Sequence, residues 1–308
     1  MMTNLKTHEP RTDSRRERVT STRDRPEMIR RRRRRALSRA FAHVGVIVVG
    51  LLMIYPLLWM VASSFKPQEL IFSEPGLLPT EFTLDNFVSG WDAIGVPFGA
   101  FFLNSFLVAA CAVVGNLFSC CFAAYAFARL EFRGKKILFA SMLGTIMLPF
   151  HVVLVPQYIM FQSIDWTNTY LPLVVPKFLA VDAFFIFLMI QFIRGLPREL
   201  DDAATVDGCG PIAVFWRIIL PLMRPAMAVA AVFTFIWTWN DFLTPLLYIT
   251  DRNLFTVPIA LNAFMDSTGA SQWGPMFAMS VLSLLPLFVV FLLAQKQLLK
   301  GIATTGLK

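Results

Sequence analysis

Residues 199–221 read ELDDAATVDGCGPIAVFWRIILP and form a polar interruption between two apolar blocks that are each long enough to cross a membrane. Acidic residues open the stretch, Asp207-Gly208 marks a turn, and prolines stand at Pro211 and Pro221. Because the apolar segments elsewhere account for membrane residence, this stretch predicts a separate element, a surface kept for docking another protein.

The stretch predicts a helix–turn–helix. A first helix over 198–206 carries acidic residues in its first turns, where the helix dipole favours negative charge. Gly208 ends it because glycine adopts the left-handed conformation without a Cβ penalty, and Pro211 suits the first turn of a second helix, which Pro221 stops. The two alanines of the first helix permit close approach by a partner. The alternative is an interfacial hairpin that packs only on the protein's own helices.

The composition is typical of a membrane protein. Of the 308 residues, 56% are hydrophobic and 16% are charged, against roughly a quarter charged in soluble domains, and the mean hydropathy is +0.61. Apolar runs of this length predict spanning helices, whose backbone groups are satisfied within the segment. The sequence therefore predicts an all-α membrane protein with six transmembrane helices. They are expected at about 41–64, 99–128, 137–162, 170–193, 224–248 and 275–295. Prolines inside the third and fourth spans predict kinks or breaks.

The spans define the domain organisation. Residues 1–39 include an all-arginine block at 30–35 and few large apolar side chains, which predicts a disordered, Arg-rich cytoplasmic tail. Such a tail could bind anionic lipid or nucleic acid, but its place just before a spanning helix favours a marker of the cytoplasmic end, and no nucleic-acid partner is expected. Residues 40–98 hold the first transmembrane helix and an external loop, 99–297 form the transmembrane core domain, and 298–308 form a cytoplasmic C-terminal tail. The first apolar run is too long for a signal peptide.

Lysine and arginine are concentrated in alternate connections, and they favour the cytoplasmic side. The connections after the second and fourth spans and the C-terminal end are basic, whereas the segment 65–98 has only Lys66 and the loops 163–169 and 249–274 have none and one. The pattern predicts a multi-pass protein of the cell (inner or plasma) membrane. It places both termini and the 197–223 segment in the cytoplasm.

The sequence carries no catalytic or metal-binding pattern. Its four cysteines lack paired metal-ligand spacing and predict packing residues. They are Cys111, Cys120, Cys121 and Cys209. There is no GxxxxGK[ST] loop for a nucleotide phosphate and no GxSxG motif. The chain is therefore expected to be no enzyme, to need no cofactor, and to obtain any ATP energy from a separate partner.

Polar residues inside the predicted spans indicate a solute path, because each ionisable group there costs roughly 2.5–3.5 kcal/mol unless it faces a cavity or a partner. Asn240, Asp241 and Trp239 in the fifth span offer the polar and aromatic groups that a sugar path needs. Asp182 in the fourth span is a further candidate. Lys177 lies about 140° from Asp182 around a helix, so a direct pair is not favoured. The alternatives are contact with a partner helix and, for Trp239, an interfacial belt.

The 199–221 stretch closely resembles the EAA loop of the membrane subunits of ABC importers. The shared pattern is Asp202-Ala203-Ala204, three residues, Gly208, nine residues and Ile218-x-Leu220-Pro221. In that family the loop forms a coupling helix that seats in a groove of the ATP-hydrolysing subunit. The resemblance implies that the ATPase-coupling residues here are Glu199, Asp202, Ala203, Ala204, Asp207, Gly208, Leu220 and Pro221. Asp202 stands where the family usually has Glu, which keeps the charge and shortens the reach by one methylene.

The resemblance covers roughly residues 41–308. Further matching segments are Asn104-Ser105, Gln191-Phe192, Leu196-Pro197, Trp239-Asn240-Asp241-Phe242 and the C-terminal end from Pro286. They are similar to the carbohydrate-importer subgroup and, at the C-terminus, to the second membrane subunit of maltose-type importers. The resemblance implies a type I ABC importer permease that translocates a sugar or sugar-like solute. Its partners would be a second six-span permease, two ATPase subunits and an extracytoplasmic solute-binding protein.

Two other functions are compatible with parts of the pattern. An ion-coupled secondary transporter predicts a mid-membrane carboxylate and repeat symmetry; Asp182 and Asp241 give weak support, and no repeat is evident. A non-transport membrane scaffold would explain a docking hairpin but not the spans that contain proline.

Overall fold

The computed structural model describes residues 25–265 and 271–305, and all regular structure in those residues is helical. The predicted all-α class is therefore confirmed. The chain divides into two compact units, Met1–Trp59 and Met60–Lys308. Four helical segments are long and apolar enough to cross a membrane, and two sharply bent helix pairs raise the number to six if each pair counts as one span.

The first span lies in helix α1 (Arg25–Ser63), whose apolar part is Phe41–Ser63. Residues 25–39, which the sequence analysis places in a disordered tail, are helical in the structure. Arginine has a high helix propensity, and the apolar helix that follows supplies the nucleus from which these residues extend. Residues 1–24 lie outside the described residues.

The second unit consists of helices that differ widely in length. In chain order they are α2 (Leu70–Ser73), α3 (Asp85–Asp92), α4 (Phe98–Arg129), α5 (Lys135–Ile146), α6 (Phe150–Ser163), α7 (Leu171–Val174), α8 (Ala183–Arg194), α9 (Glu199–Val206), α10 (Pro211–Val214), α11 (Leu220–Leu222), α12 (Arg224–Trp239), α13 (Leu243–Tyr248), α14 (Val257–Asn262) and α15 (Trp273–Thr305). The predicted second span corresponds closely to α4, which packs against both α8 and α12. Asn116 of α4 donates a hydrogen bond to Thr234 Oγ1 of α12 at 2.6 Å, so the contact is polar as well as apolar.

The segment that precedes α4 folds around a buried lysine. Lys66 is 1% exposed, and its Nζ donates hydrogen bonds to the backbone oxygens of Glu74 at 2.5 Å and Gly76 at 2.6 Å. Asn86 of α3 donates to the oxygens of Ser64 and Lys66. Lys66 is therefore a buried hydrogen-bond donor that holds the backbone of this segment in place, and it is not a surface charge.

The third predicted span is broken. Helices α5 and α6 meet at an angle of 103°. Pro149 is the N-cap residue of α6, and a proline disfavours helical backbone in the residue before it. Pro156 lies inside α6. The expected break is therefore confirmed at the first of these prolines.

The fourth predicted span is interrupted between α7 and α8. A 3₁₀ segment, Val175–Leu179, follows α7, and Ala180 then adopts a φ of 55°. That left-handed conformation is unfavourable for a residue with a Cβ by roughly 1–2 kcal/mol. The chain changes direction at Ala180, so side chains before and after it do not have the relative orientation of residues on one continuous helix.

The fifth predicted span, 224–248, is wrong in its second part, because α12 ends at Trp239. Asp241 Oδ1 accepts a hydrogen bond from the backbone N–H of Thr244 at 3.1 Å, and the side chain of Asn240 bonds to a carbonyl of α12. Side chains that bind nearby backbone groups compete with a continuous helix. Helix α12 reaches spanning length only together with α10 and α11, against which it is bent by 73°.

The sixth predicted span lies within α15. The predicted C-terminal tail, 298–308, is helical as far as Thr305, since its leucine, lysine and alanine residues have high helix propensity. Residues 306–308 lie outside the described residues.

Three clusters of buried apolar side chains hold the second unit together. One joins α4 and α8 to the segment from α9 to α11, the second joins α4 to α12, α14 and α15, and the third surrounds Tyr248 of α13 near α6 and α7. Helix α4 contributes to all three, so the elements that carry the candidate sites are positioned on one long helix.

Candidate functional site

The hairpin, defined as residues 199–222, turns at Gly208 as predicted. Gly208 has a φ of 84°. Its N–H donates to the oxygen of Thr205, and the N–H of Cys209 donates to the oxygen of Ala204. These two bonds around a left-handed glycine are the Schellman arrangement that closes a helix C-terminus. The turn after α9 therefore depends on this glycine.

The second arm of the hairpin begins at Pro211, as predicted, but Pro221 does not stop it. A π-helical turn, Phe215–Ile219, comes first, and the helix continues to Leu222. In an α-helix the proline ring would clash with the carbonyl four residues earlier. The wider π-turn relieves this clash, because its hydrogen bonds run from i to i+5. The arm ends instead at the bend into α12.

The hairpin and the residue Leu196 just before it are fastened to the end of α4 by an ion pair and two hydrogen bonds. Arg129 Nε lies 2.7 Å from Asp201 Oδ2, with side-chain exposures of 6% and 20%. Arg129 also donates to the oxygen of Leu196 at 2.9 Å, and Tyr125 Oη donates to the oxygen of Pro211 at 3.0 Å. The sequence analysis missed these residues. The available signal was that Arg129 is a basic residue at the predicted end of a span, facing a stretch rich in carboxylates.

The outer face of the hairpin combines carboxylates with apolar side chains. Asp202, Ala203 and Asp207 are exposed, Val206 is 87% exposed and Ile212 is 75% exposed. Large apolar side chains at such exposure, beside negative charges, are typical of a surface that a partner covers. The outer face of the hairpin therefore has an exposed apolar surface, here named the knob, formed by Val206 and Ile212 and bordered by the carboxylates of Asp202 and Asp207.

Ala204 departs from the prediction that both alanines face a partner. It is buried and packs in the cluster shared by α4 and α8. Its small side chain lets α9 approach the protein's own core, because the preceding Asp201 already turns that face inward. Of the other predicted coupling residues, Glu199 and Pro221 are exposed and Leu220 is partly buried against the same cluster.

A cavity of about 640 Å³ opens between α4, the broken third and fourth spans, and the break after α12. Its polar lining includes two of the predicted path residues, Asp182 and Asp241, together with Gln157 and Lys177. Trp237 contributes an aromatic wall. Broken helices at membrane depth are tolerated where they line a cavity, which is their placement here.

Lys177 and Asp182 form the ion pair that helical spacing disfavoured. Lys177 Nζ lies 2.9 Å from Asp182 Oδ2 and 3.2 Å from Oδ1. The prediction assumed one continuous α-helix. The 3₁₀ segment and the left-handed Ala180 between the two residues bring them to the same side.

Trp239 and Asn240 do not line this cavity. Trp239 is buried in the cluster of α4, α12 and α15, and its Nε1 donates to the oxygen of Ser283. Asn240 is exposed, and its side chain bonds to the oxygen of Ile236 at 2.8 Å. The structure therefore brings Asp182 and Asp241 together at the cavity and leaves the other two candidates outside it. No group of three or more His, Cys, Asp or Glu side chains that would hold a metal occurs among the described residues.

Comparison with known proteins gives matches over most of the chain. Residues 115–303 match the family model described as "Binding-protein-dependent transport system inner membrane component". The probable ABC transporter permease protein YurM of Bacillus subtilis is 38% identical over 254 residues, 82% of this chain and 83% of that protein. The trehalose/maltose transport system permease protein MalG of Thermococcus litoralis is 31% identical, over 90% and 99% of the two chains. The sn-glycerol-3-phosphate transport system permease protein UgpE of Yersinia pestis is 32% identical, over 85% and 95%.

The fold also matches a solved structure. A chain from the crystal structure of a bacterial ABC transporter involved in the import of the acidic polysaccharide alginate superposes with a TM-score of 0.74. The match covers 84% of this chain and 96% of that chain, at 19% sequence identity. The predicted architecture of a type I importer permease is confirmed at the level of the fold.

Proposed function

Because the chain belongs to the family of inner-membrane components of binding-protein-dependent transport systems, we propose that it is the permease subunit of an ATP-driven importer of a sugar or sugar-like solute. Matches to permeases named for trehalose and maltose and for arabinooligosaccharides support the solute class. The observation that carries the proposal is the hairpin itself, an exposed knob fixed at one end of α4, the helix that contributes to all three core clusters.

The hairpin is the proposed handle for a separate ATPase. Val206 is large, apolar and almost fully exposed, and it stands beside Asp202 and Asp207. A groove lined by apolar and basic groups in an ATPase would bury this knob and pair with these carboxylates. Ala203 provides the close approach, and the buried Ala204 fixes the helix from behind. The Arg129–Asp201 pair would transmit movement of the knob to α4.

The proposed setting follows the distribution of basic residues. The hairpin and both termini would lie in the cytoplasm of a cell with the protein in its inner or plasma membrane. The proposed complex contains a second six-span permease, two ATPase subunits and an extracytoplasmic solute-binding protein. ATP binding and the loaded binding protein would bias the same two-state equilibrium of the paired permeases, which alternates access to a path between them.

The proposed path in this subunit is the cavity that contains Asp182 and Asp241. A carboxylate there accepts hydrogen bonds from solute hydroxyls, and Trp237 offers the flat apolar face that sugar rings pack against. Lys177 is paired with Asp182, so Asp241 is the one cavity carboxylate without an ion-pair partner among the described residues, and such a lining is suited to a neutral polyhydroxylated solute.

Changing Asp241 to Asn is expected to raise the apparent KM for solute uptake about tenfold, with a smaller effect on kcat. The amide can still accept the bond from the Thr244 N–H, so the start of α13 is retained, while a charge-assisted bond to solute worth roughly 1.5 kcal/mol is lost. Uptake of labelled solute into vesicles reconstituted with the full complex measures this effect. The control is Asn240→Ala, a substitution outside the cavity, which should change KM less than twofold. A larger increase in KM for Asn240→Ala than for Asp241→Asn would reject this path.

Changing Val206 to Asp tests the coupling proposal. The carboxylate would have to be buried in the ATPase groove without a partner, which costs at least about 2 kcal/mol, so co-purification with the ATPase should fall roughly thirtyfold. ATP-driven uptake should fall with it. Because Val206 is exposed, the substitution should leave the fold of the permease intact, and size-exclusion elution of the variant checks this.

The matched control is Leu78→Asp. Leu78 is also 87% exposed, but it lies in the segment 65–98, which the proposed orientation places on the opposite side of the membrane. This control should retain the ATPase at the wild-type level. Normal ATPase retention by Val206→Asp, or an equal loss in both variants, would refute the hairpin as the docking element.

A further inference from the structure

A second cavity, of about 660 Å³, lies where three membrane helices end together. Helix α4 ends at Arg129, α5 begins at Lys135 and α8 ends at Arg194. The cavity has an aromatic floor and a basic rim. The floor consists of Phe127, Phe132 and Phe139, and the rim of three cations, Lys135, Lys136 and Arg194, with one carboxylate, Glu131. Neither the coupling hairpin nor the proposed solute path uses these residues.

Two of the three rim cations form no salt bridge among the described residues, so the single rim carboxylate balances only part of the positive charge. Lys135 is paired with Glu131 at 2.9 Å and also donates to the oxygen of Leu130. The hydrogen bond from Lys135 lowers the pKa of Glu131, so this carboxylate is ionised at neutral pH and offsets the charge of Lys135. Lys136 and Arg194 are exposed and have no salt bridge within the part of the chain that the structure describes.

The aromatic floor orients one of these free charges. The guanidinium carbon of Arg194 lies 5.6 Å from the ring centroid of Phe139, a cation–π contact. The Phe139 and Phe127 rings are in turn 5.7 Å apart, and the Phe127 and Phe132 rings are 5.9 Å apart. A continuous apolar surface therefore leads from the charged rim into the cavity.

The side chains around this cavity are those expected at the boundary between lipid headgroups and acyl chains. Ile137, which lines it, is 74% exposed, and the neighbouring Leu138 is also exposed. Both belong to α5, which together with α6 is apolar and long enough to cross a membrane if the bent pair counts as one span. Apolar side chains that face outward on such a helix contact acyl chains, whereas cations at its end reach the headgroup level.

We propose that this cavity binds an anionic phospholipid. The headgroup phosphate accepts hydrogen bonds from Lys136 and Arg194, and one acyl chain packs on Phe127, Phe132 and Phe139. Basic pockets between transmembrane helices select anionic headgroups by this combination of charge and apolar contact. An acidic protein segment would use the cations but would leave the aromatic floor and the exposed Ile137 unmatched.

The test is selective lipid retention by the full transporter complex. The purified complex is exposed in detergent to equal amounts of phosphatidylglycerol and phosphatidylcholine, and the retained lipids are quantified by mass spectrometry. We expect preferential retention of phosphatidylglycerol by the wild type. The double variant Lys136→Gln/Arg194→Gln should lower that preference roughly 25-fold, at about fivefold for each cation removed.

The matched control removes two exposed cations that do not line the cavity, Arg133→Gln/Lys296→Gln, and should change the preference less than twofold. Phe139→Ala should reduce retention of both lipids, because the acyl contact is common to them. Equal effects of the two double variants would overturn the proposal. Displacement of the bound lipid by free inorganic phosphate at about 10 mM, a large excess over the lipid headgroups, would also overturn it. Loss of the ATPase from Lys136→Gln/Arg194→Gln with unchanged lipid preference would show an acidic protein occupant and would also overturn it.

Discussion

Replacing Arg129 with alanine is expected to abolish ATP-driven uptake and to destabilise the packing of the hairpin against α4 by about 3–5 kcal/mol. The Arg129 side chain is almost fully buried and contacts both Asp201 and the oxygen of Leu196. Its removal leaves a largely buried carboxylate and a carbonyl without their partner, and this penalty is larger than the net value of the pair itself. Hydrogen exchange of the backbone amides in residues 199–222 measures the loss directly.

A second set of substitutions separates loss of the charge from loss of the anchor. Arg129→Lys keeps the charge but cannot reach both acceptors in the planar geometry of a guanidinium, so its effect should be intermediate. The double variant Arg129→Met/Asp201→Leu removes both charges and should recover much of the stability of the single variant. If Arg129→Ala leaves the exchange rates and uptake unchanged, the hairpin is held by other contacts and the anchor assignment is wrong.

Replacing Lys66 with methionine is expected to destabilise the segment 65–97 by about 3 kcal/mol. The methionine fills the volume of the lysine stem but cannot donate the two hydrogen bonds that Nζ makes to Glu74 and Gly76. Hydrogen bonds to charged groups contribute roughly 1.5–3 kcal/mol each, offset in part by the cost of burying the ammonium. Limited proteolysis and the thermal midpoint of the purified protein report the change.

Lys296→Met is the matched control for this prediction, because Lys296 is an exposed lysine near the end of α15. This control should change the free energy of unfolding by no more than about 0.5 kcal/mol and the thermal midpoint by less than about two degrees. Equal midpoints for the two variants would mean that the buried ammonium contributes nothing net. Protease cuts that appear in 65–97 only in Lys66→Met would locate the damage as predicted.

Local signals in the sequence were sufficient where the structure is decided locally. Gly208 and Pro211 were correctly assigned because a left-handed C-terminus and a first-turn proline depend on one residue each. Pro149 was correctly associated with a break for the same reason. These elements needed no information about what lies beside them in space.

The errors arose where contacts between distant segments decide the structure. The Arg129–Asp201 pair joins residues far apart in sequence, and Ala204 is buried because that pair turns its helix face inward. The Lys177–Asp182 pair was judged on a regular helix, whereas Ala180 interrupts it. The fifth span is predicted to run through Asp241 because hydropathy averages over a window and does not register a single side chain that binds a backbone N–H in the first turn of the next helix.

Helix α4 is bonded to other segments at both of its ends. At one end Arg129 and Tyr125 hold the hairpin, and near the other Asn104 donates to the oxygens of Asn253 and Phe255. Its 32 residues form a rod of about 48 Å with no proline inside it. If α4 moves as a rigid body, a tilt at the end that holds the hairpin would displace the end bonded to Asn253 and Phe255 in the opposite direction, and in the proposed orientation this would link the two sides of the bilayer.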